Sequence, residues 1–331
     1  MNAPLAVAVI GAGNFGQQHL AAYLRQPDVE VVAVADRSIQ RAEAVAAKWG
    51  VKRWFASPSE LIEDCTPAAV SVVTPGQHHL APTLTALRHG CSVLLEKPVA
   101  MSSAEALVMS QAAADSAGFV MPAHILRFAA PYAAVRAQIA EGAFGQVLGI
   151  SSRRERTRGH EQLFPGMHPV LMTMIHDIDL ALWLTGSPAD RVSAHARGAR
   201  GQGPPLLVWA HVEAADGILW SLRTSWVLPD DGEIADRLEV YGSEGAAVLS
   251  LEPPVRYLGP KTPLSRGLIG DPLADAIMNE IAHFCACARA GTSSGVVTLT
   301  DAIHGLRIAE AIMASAESGG ASIEVATDAA R

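Results

Sequence analysis

The chain has 331 residues, of which half are hydrophobic and 18% are charged, and its formal net charge is −8. This length predicts two domains, and this hydrophobic content excludes a disordered protein. The acidic balance argues against binding to nucleic acid or to an anionic membrane surface. We expect a cytoplasmic protein for three reasons. The four cysteines are scattered, the N-terminus lacks a basic leader, and no run of about 20 apolar residues is present.

Short runs of β-branched residues alternate with alanine-rich stretches in the first part of the chain. This alternation is typical of βαβ units in a parallel sheet that is covered on both faces. The predicted strands are Ala6–Ile10, Val29–Ala35, a short strand near Arg53, Ala69–Val73 and Ser92–Leu95. The predicted helices run from a glycine turn to about Arg25 and over Ser38–Lys48, His79–His89 and Ser102–Ala117. We therefore assign residues 1–122 to one α/β domain with a doubly wound parallel sheet.

Longer strand-like runs replace this pattern beyond Met121. The predicted helices are Pro131–Ala140, an amphipathic helix over Pro169–Leu184, Leu273–Ala290 and Leu299–Ser315. The predicted strands are Gln146–Arg154, Leu206–Ala214, Ile218–Val227, Arg237–Tyr241 and Ala246–Leu251, and residues 253–272 are predicted as a loop. Residues 123–331 are therefore expected to form a substrate-binding α+β domain with an open, largely antiparallel sheet. Because the outer face of an open sheet needs a cover, we expect a homodimer or homotetramer formed through this sheet.

A Gly-x-Gly-x-x-Gly motif follows the first predicted strand and opens the first helix. Its glycines permit a tight turn and let the backbone approach a pyrophosphate, which the helix N-terminus attracts. The candidate cofactor-binding residues of the motif are Gly11, Gly13, Asn14, Phe15 and Gly16. Asp36 ends the second strand, where a carboxylate can accept hydrogen bonds from the adenosine ribose. Because Asp36 would repel a 2′-phosphate, NAD is the preferred cofactor, but Arg37 beside it could accept that phosphate and keeps NADP as the alternative.

Further candidates lie where the fourth and fifth strands end, since doubly wound sheets bind ligands at this edge. Thr74, Pro75 and His79 follow the fourth strand, and Glu96 and Lys97 end the fifth. We place all five beside the cofactor, although His79 could equally be a polar group that starts a helix. Lys97 could donate to a substrate hydroxyl and stabilise negative charge on its oxygen as hydride leaves the carbon, which makes it a candidate catalytic residue.

Together these features resemble the Gfo/Idh/MocA family of glucose–fructose oxidoreductase-like and inositol dehydrogenase-like proteins. The motifs that carry the resemblance are Gly11-Ala-Gly-Asn-Phe-Gly16, Val-Val-Thr-Pro75 with His79, Gly90-Cys-Ser-Val-Leu-Leu-Glu-Lys-Pro98, Arg127-Phe128 with Pro131, Ile175-His-Asp-Ile-Asp-Leu180 through Trp183, and Tyr241-Gly-Ser-Glu-Gly245. The resemblance implies a Rossmann domain and a C-terminal α/β domain whose sheet face mediates oligomers. It also implies that Lys97 and His176 face the nicotinamide and the substrate. We therefore expect an NAD(P)-dependent dehydrogenase or reductase that acts on CH–OH groups of a sugar, cyclitol or sugar-acid-like small molecule.

His176 lies on a predicted helix, and a histidine titrates near neutral pH, which suits a general acid/base. Many dehydrogenases that the chain resembles place an aspartate four residues before this histidine, where this chain has Met172. Asp177 or Asp179 could replace that aspartate, and Thr173 could hydrogen-bond the substrate. We therefore count Thr173, His176 and Asp177 as substrate-binding candidates, with His176 also catalytic.

Three more substrate-binding candidates are His124, Arg127 and Arg154. His124 and Arg127, like Tyr132, follow the domain crossover, and all three could instead serve packing between the domains. Arg154 belongs to an arginine-rich run, Arg153–Arg158. This run could bind a carboxylate or phosphate on the substrate, or it could form the solvated or intersubunit ion pairs typical of surface charges.

No spacing of histidine, cysteine and carboxylate residues matches a metal site, so no metal is expected. Two alternatives to a dehydrogenase stay open. One is an NAD(P)-binding regulatory protein without turnover, which Met172 in place of the aspartate favours, whereas Lys97 and His176 favour an enzyme. The other is an NAD-dependent glycoside hydrolase that oxidises its substrate transiently.

Overall fold

The structure is a computed structural model that describes residues 3–198, 203–230, 235–250, 256–258 and 272–326. The chain divides into two compact units. The first unit comprises Met1–Ala129 and Leu273–Ile303, and the second comprises Ala130–Pro272 and His304–Arg331. Every helix in the described ranges is too short or too polar to cross a bilayer.

The first unit contains a six-stranded parallel sheet. Its strands are β1 (Leu5–Ile10), β2 (Val29–Ala35), β3 (Trp54–Phe55), β4 (Ala69–Val72), β5 (Ser92–Leu95) and β6 (Val120–Pro122). Its first five α-helices are α1 (Asn14–Tyr23), α2 (Ile39–Trp49), α3 (Pro58–Cys65), α4 (Leu80–Arg88) and α5 (Ser103–Ala114). The strand order is β3-β2-β1-β4-β5-β6, which reverses between β1 and β4 and confirms the predicted doubly wound sheet. β6 and α3, at three and eight residues, are additions to the predicted elements.

Capping residues set the helix boundaries in this unit. The Ser38 hydroxyl accepts the N–H of Arg41 at the start of α2, and the Ser102 hydroxyl accepts the N–H of Glu105 at the start of α5. Gly50 ends α2 with a φ of 73°, a left-handed conformation that favours glycine. Ser38 and Ser102 are the first residues of two helices predicted from the sequence.

The second unit is built on an eight-stranded mixed sheet. Its strands are β7 (Val147–Thr157), β8 (Ala189–Arg197), β9 (Leu207–Ala214), β10 (Leu219–Leu228), β11 (Ala235–Gly242), β12 (Ala246–Ser250), β13 (Arg256–Leu258) and β14 (Ile323–Glu324). Its α-helices begin with α6 (Ala130–Ala140), α7 (Gly159–Leu163) and α8 (Ile175–Thr185). The strand order is β13-β12-β11-β7-β10-β9-β8-β14, in which β7 and β10 pair in parallel and the other described pairs are antiparallel. The predicted open, largely antiparallel sheet is confirmed.

The structure differs from the prediction at one strand of this unit, and one predicted loop lies largely outside the described residues. β8 was not among the predicted strands. The loop predicted over residues 253–272 lies outside the described residues, except that residues 256–258 form β13 and residue 272 starts a helix.

The sheet of the second unit has one buried and one exposed face. Along β9 the even-numbered residues are buried, and the odd-numbered ones are at least partly exposed. The strand register carries this alternation across the sheet, since Trp209 pairs with Arg223 and Arg223 pairs with Arg153. We call the exposed side the open face. Its residues include Ser151, Arg153, Glu155, Trp209, His211, Leu219, Arg223, Arg237, Glu239 and Tyr241.

The segment predicted as one amphipathic α-helix over Pro169–Leu184 differs from the prediction. Val170–Met174 is π-helical, and α8 continues from it until Gly186, whose φ is 66°. Seven of the 11 residues of α8 are buried, and they include Asp177 and Asp179. The sequence predicted a solvent-exposed polar face for this helix because it contains two aspartates. In the structure both aspartates are buried.

Two further helices follow in the chain, α9 (Pro272–Ala290) and α10 (Leu299–Glu317). Ile281 and Phe284 of α9 are fully buried in one hydrophobic cluster with Val9 of β1. The predicted division at residues 122 and 123 therefore differs from the structure, in which residues 123–129 and 273–303 belong to the first unit. The parallel sheet needs apolar cover, and distance along the chain does not reveal which helix supplies it.

Phe284→Ala should lower the free energy of unfolding of the first unit by about 3–5 kcal/mol, because it empties a fully buried aromatic site. Ala286→Gln, at an exposed position of the same helix, is the control and should change this free energy by about 0.5 kcal/mol or less. Hydrogen exchange of the β1 and β4 amides under native conditions reports the first unit specifically. Faster exchange confined to the second unit would contradict the assignment of α9.

Candidate active site

The glycine turn between β1 and α1 is shaped by backbone packing that leaves no room for a side chain at two positions. Gly11 has a φ of 113°, and a Cβ there would lie 2.5 Å from the carbonyl oxygen of Val73. A Cβ on Gly16 would overlap the carbonyl oxygen of Gly11. The fold therefore requires both glycines, whatever binds to the turn.

Gly13 differs from these two glycines, because no atom lies within 4 Å of the place that its Cβ would take. It precedes α1 as the N-cap, where no side chain caps the helix, and the first turn of α1 holds no acidic residue. The N–H groups of that turn and the helix dipole give this open space a positive partial charge. The arrangement fits the pyrophosphate of a dinucleotide, with Asn14 and Phe15 exposed next to it.

The Asp36 carboxylate is fixed against the glycine turn. Oδ2 accepts the N–H of Ala12 at 3.0 Å, and Oδ1 accepts the N–H of Ser38 at 2.9 Å. A carboxylate has about four acceptor sites, so these two bonds leave it able to accept from ribose hydroxyls. Arg37 is exposed, and Arg41 Nη1 lies 3.5 Å from Asp36 Oδ2. Sequence reasoning missed Arg41, although its place in the first turn of α2 puts it on the side of Asp36.

His79 lies at the start of α4, which is one of the two places considered for it from the sequence. Thr74 and Pro75 follow β4 with at least partial exposure, whereas the His79 side chain is fully buried. Its Nε2 lies 2.6 Å from the carbonyl oxygen of Thr74, and its Nδ1 lies 2.9 Å from that of Pro98. Burial lowers the pKa of His79, so the neutral ring donates to one of the two carbonyls at a time. The side chain joins the segments after β4 and β5, and a contact of His79 with the cofactor stays a prediction.

Glu96 and Lys97 end β5 in different surroundings. Lys97 is half-buried, whereas Glu96 is buried and both of its oxygens have partners within the protein. Oε2 accepts the N–H of Lys97 at 3.1 Å, and Oε1 lies 3.2 Å from Nε2 of His19. These bonds hold the Glu96 carboxylate within the protein, and the predicted contact of Glu96 with the cofactor stays a prediction. His19 was missed by sequence reasoning, and its only signal was a position one helical turn after the glycine motif.

The predicted substrate contacts of the segment after β6 are not supported. Arg127 is buried, and its Nη1 donates to the carbonyl oxygen of Val296 at 2.7 Å and to Asp301 at 3.0 Å. Arg127 therefore joins this segment to the start of α10, which agrees with the packing role considered as its alternative. His124 is buried as well.

Arg154 is the centre of a buried ion cluster in the second unit. Its Nε and Nη2 each donate to an oxygen of Asp177 at 3.0 Å, and its Nη1 donates to Asp236. Arg156 also donates to Asp236, so two cations and two anions form a neutral group. Burial opposes the charge on Arg154, but the two aspartates outweigh it and hold the Arg154 pKa well above its usual value. Burial raises the pKa of Asp177, and Arg154 opposes this rise.

This cluster bears on two predictions. Arg154 and Asp177 bind each other, and their contact with a substrate stays a prediction. The ion pairs of Arg154 and Arg156 are buried within one chain, so they are neither the solvated pairs nor the intersubunit pairs considered from the sequence.

Met172 and His176 are the accessible groups of the π-helix and the first half of α8. Both are half-buried, whereas every other residue from 170 to 180 is buried. The buried Thr173 hydroxyl accepts the indole N–H of Trp226 at 2.9 Å, and its contact with substrate stays a prediction. A ligand that reaches this segment therefore contacts a thioether and an imidazole. Similar dehydrogenases have an aspartate at the position of Met172. In this structure the Asp177 carboxylate binds Arg154, so it does not replace that aspartate.

The histidines near this segment do not assemble with carboxylates into a metal centre. His168 Nδ1 accepts the N–H of Val170 at 3.2 Å, and burial lowers the pKa of His168 to about 4. In the part of the chain that the structure describes, no group of three or more His, Cys, Asp or Glu side chains is placed to hold a metal ion.

Comparison with known proteins agrees with this geometry. A model described as an oxidoreductase family with an NAD-binding Rossmann fold matches residues 5–124, and a model of the GFO/IDH/MocA C-terminal domain matches residues 132–248. The chain belongs to the Gfo/Idh/MocA family. It is therefore an oxidoreductase whose first domain binds NAD, and the turn at Gly13 together with Asp36 fits that cofactor.

Individual members of the Gfo/Idh/MocA family match over different lengths. The D-glucoside 3-dehydrogenase of Escherichia coli (strain K12) is 32% identical over 204 residues, which are 59% of this chain and 58% of that relative. The scyllo-inositol 2-dehydrogenase (NAD(+)) of Bacillus subtilis (strain 168) is 26% identical over 327 residues, 94% of each chain. The structure of scyllo-inositol dehydrogenase from Lactobacillus casei with bound NAD(H) and scyllo-inositol is 19% identical and has a TM-score of 0.84, covering 98% of this chain and 100% of that one. This last likeness shows a shared fold.

Gly13→Ala and Gly16→Ala form a matched pair that separates cofactor binding from folding. Gly13→Ala should leave the free energy of unfolding within about 1 kcal/mol of the wild type, because its Cβ meets no atom, yet weaken NADH binding about tenfold or more by filling the space for the pyrophosphate. Gly16→Ala should destabilise the fold itself, since its Cβ would overlap Gly11. Denaturation curves and NADH fluorescence titrations measure the two effects. Unchanged NADH affinity in Gly13→Ala would show that the pyrophosphate does not lie there.

Proposed function

We propose that this member of the Gfo/Idh/MocA family is an NAD-dependent dehydrogenase that transfers a hydride between nicotinamide and a CH–OH carbon of a sugar, cyclitol or sugar-acid-like small molecule. The observation that carries the proposal is the open, positively polarised space at Gly13 with the Asp36 carboxylate fixed next to it. The relatives named above are a D-glucoside dehydrogenase and a scyllo-inositol dehydrogenase, which supports this substrate class. No comparison supports the regulatory protein or the glycoside hydrolase.

Charge at the adenosine end supports NAD over NADP. The Asp36 carboxylate would lie next to a 2′-phosphate and repel it. Arg37 and Arg41 are the nearby cations that would reduce this repulsion. We therefore expect NAD to bind more tightly, with NADP as a weaker alternative.

Two side chains of this chain are proposed to handle the substrate. The bound cofactor accepts or supplies the hydride. The half-buried Lys97 ammonium donates a hydrogen bond to the substrate oxygen and stabilises the negative charge that develops there. The half-buried His176 imidazole takes the hydroxyl proton during oxidation and returns it during reduction.

Lys97→Met removes the ammonium but keeps most of the apolar stem. We expect kcat to fall by about 10²–10⁴, while the affinity for NADH changes by about twofold or less, because the proposed contact is with substrate. The exposed Lys52→Met is the matched control and should retain wild-type kcat. NADH absorbance with a panel of sugars, cyclitols and sugar acids measures turnover. Wild-type kcat in Lys97→Met would refute the role, and cleavage of a chromogenic glycoside without net NADH formation would favour the hydrolase.

The open face is the surface through which we expect copies of the chain to pair. Trp209, Leu219 and Tyr241 are large side chains exposed on it. The Tyr241 hydroxyl donates to Glu239 at 2.7 Å, and Arg237 also binds Glu239. Aromatic area beside preformed ion pairs is typical of an interface between identical subunits. A cytoplasmic location is also part of the proposal, and the four cysteines, all free thiols, fit a reducing compartment.

Trp209→Glu should shift the protein from dimer or tetramer towards monomer, because it places a charge where two apolar surfaces would meet. Leu163→Glu, at a side chain that is 69% exposed on α7, is the control and should leave the oligomer intact. Sedimentation equilibrium measures both. A monomeric wild-type protein at micromolar concentration would contradict the interface.

A further inference from the structure

We infer that His19 is a positioning residue for Lys97 and acts through Glu96. The inference rests on the proposed function, in which the Lys97 ammonium contacts the substrate oxygen. His19 lies on α1, and its side chain is fully buried. It joins the helix that follows the glycine turn to the end of β5.

His19 has a polar side chain at each ring nitrogen. Nδ1 lies 3.1 Å from the hydroxyl of Ser71, and Nε2 lies 3.2 Å from Oε1 of Glu96. The other Glu96 oxygen accepts the backbone N–H of Lys97 at 3.1 Å. The Ser71 hydroxyl also lies 2.7 Å from the hydroxyl of Tyr23. An unbroken chain of hydrogen bonds thus runs from Tyr23 to the Lys97 peptide.

The hydrogen bonds of this chain all run in one direction when Glu96 is ionised. A carboxylate only accepts, so Nε2 of His19 donates to Glu96. When the ring carries one proton, Nδ1 then accepts from Ser71, and Ser71 accepts from Tyr23. Burial raises the pKa of Tyr23 well above its usual value, which keeps the phenol a donor. Since every polar group has a partner, the network holds the Glu96 carboxylate in one orientation.

The orientation of the Glu96 carboxylate determines whether it competes with the substrate oxygen for the Lys97 ammonium. The two residues are adjacent, so a carboxylate released from His19 could turn and pair with the Lys97 ammonium. Such a pair would stabilise the ammonium and compete with the substrate oxygen for it. His19 holds the carboxylate inside the unit and prevents this pairing. His79 fixes the same segment independently, through its contact with the carbonyl oxygen of Pro98.

Two amide variants distinguish this role from simple packing. The amide nitrogen of His19→Gln reaches the place of Nε2 and can donate to Glu96, whereas that of His19→Asn reaches only the place of Nδ1. We expect His19→Asn to lower kcat about tenfold, with KM for NAD within about twofold of the wild type, because the lost interaction acts in the transition state. His19→Gln should retain most of the wild-type kcat.

The titration of the Lys97 ammonium provides a readout that does not need turnover. The chain has only four lysines, at positions 48, 52, 97 and 261, so NMR of lysine-labelled protein resolves them and Lys97→Arg assigns the signal. The Lys97 signal should titrate at higher pH in His19→Asn and near its wild-type pH in His19→Gln. The other three signals serve as internal controls. Glu280 and Cys285, which face Tyr23 at the far end of the chain of bonds, are unchanged in both variants.

The double variants test whether Glu96 carries the effect. In a Glu96→Gln background there is no carboxylate to pair with Lys97, so His19→Asn should no longer shift the Lys97 titration. If His19→Asn does not fold, Ser71→Ala replaces it, because it removes the donor that fixes the ring and should shift the titration in the same direction.

Identical Lys97 titration and identical kcat in the wild type, His19→Asn and Ser71→Ala would overturn the inference. Equal losses in His19→Asn and His19→Gln would also overturn it, since packing alone would then explain them. A wild-type protein that turns over no polyol refutes the proposed function instead, and the Lys97 titration still tests the role of His19.

Discussion

The close contact between the backbone of Gly11 and the end of β4 is the constraint on which the first unit depends. Because nothing larger than hydrogen fits between Gly11 and the Val73 carbonyl, the glycine turn can lie directly over the edge where β1 and β4 end. This contact places the N-terminus of α1 at the point where the strand order reverses. The N–H groups at Gly13, the Asp36 carboxylate and the end of β5 then share one edge of the sheet, which is why a cofactor can be assigned to it.

Buried charge organises the second unit in a comparable way. Arg154, Arg156, Asp177 and Asp236 neutralise one another, and all but the half-buried Arg156 are buried. Removing one member of such a group leaves an uncompensated charge and is strongly destabilising. The cluster therefore holds the strand β7, the helix α8 and the strand β11 together. It also removes the charged candidates from ligand contact, so the accessible part of the π-helix and α8 is neutral at Met172 and weakly basic at His176.

Much of the fold could be predicted from the sequence because its signals are local. The glycine motif and the alternation of apolar strands with helical stretches identified the Rossmann domain, and the strand-like runs Leu206–Ala214 and Ile218–Val227 identified β9 and β10. The roles of polar residues could not be predicted in the same way. His19 and Glu96 are 77 positions apart in the sequence, and Arg154 and Asp236 are 82 apart. Only the folded chain shows that the side chains of each pair are hydrogen-bonded to each other. For the same reason, α9 was placed in the wrong unit.

Asp36 has a structural role in the loop beside it and a proposed role in the choice between NAD and NADP. A variant that prefers NADP would have to keep the first role and lose the second. Its oxygens hold the backbone at Ala12 and Ser38, so the carboxylate proposed to disfavour the phosphorylated carrier also fixes the loop proposed to bind that carrier. Replacement by glycine or alanine would relieve the repulsion and loosen the grip together. A variant that prefers NADP therefore needs an uncharged hydrogen-bond acceptor at position 36, such as asparagine or serine. Arg37 and Arg41 could then bind the 2′-phosphate.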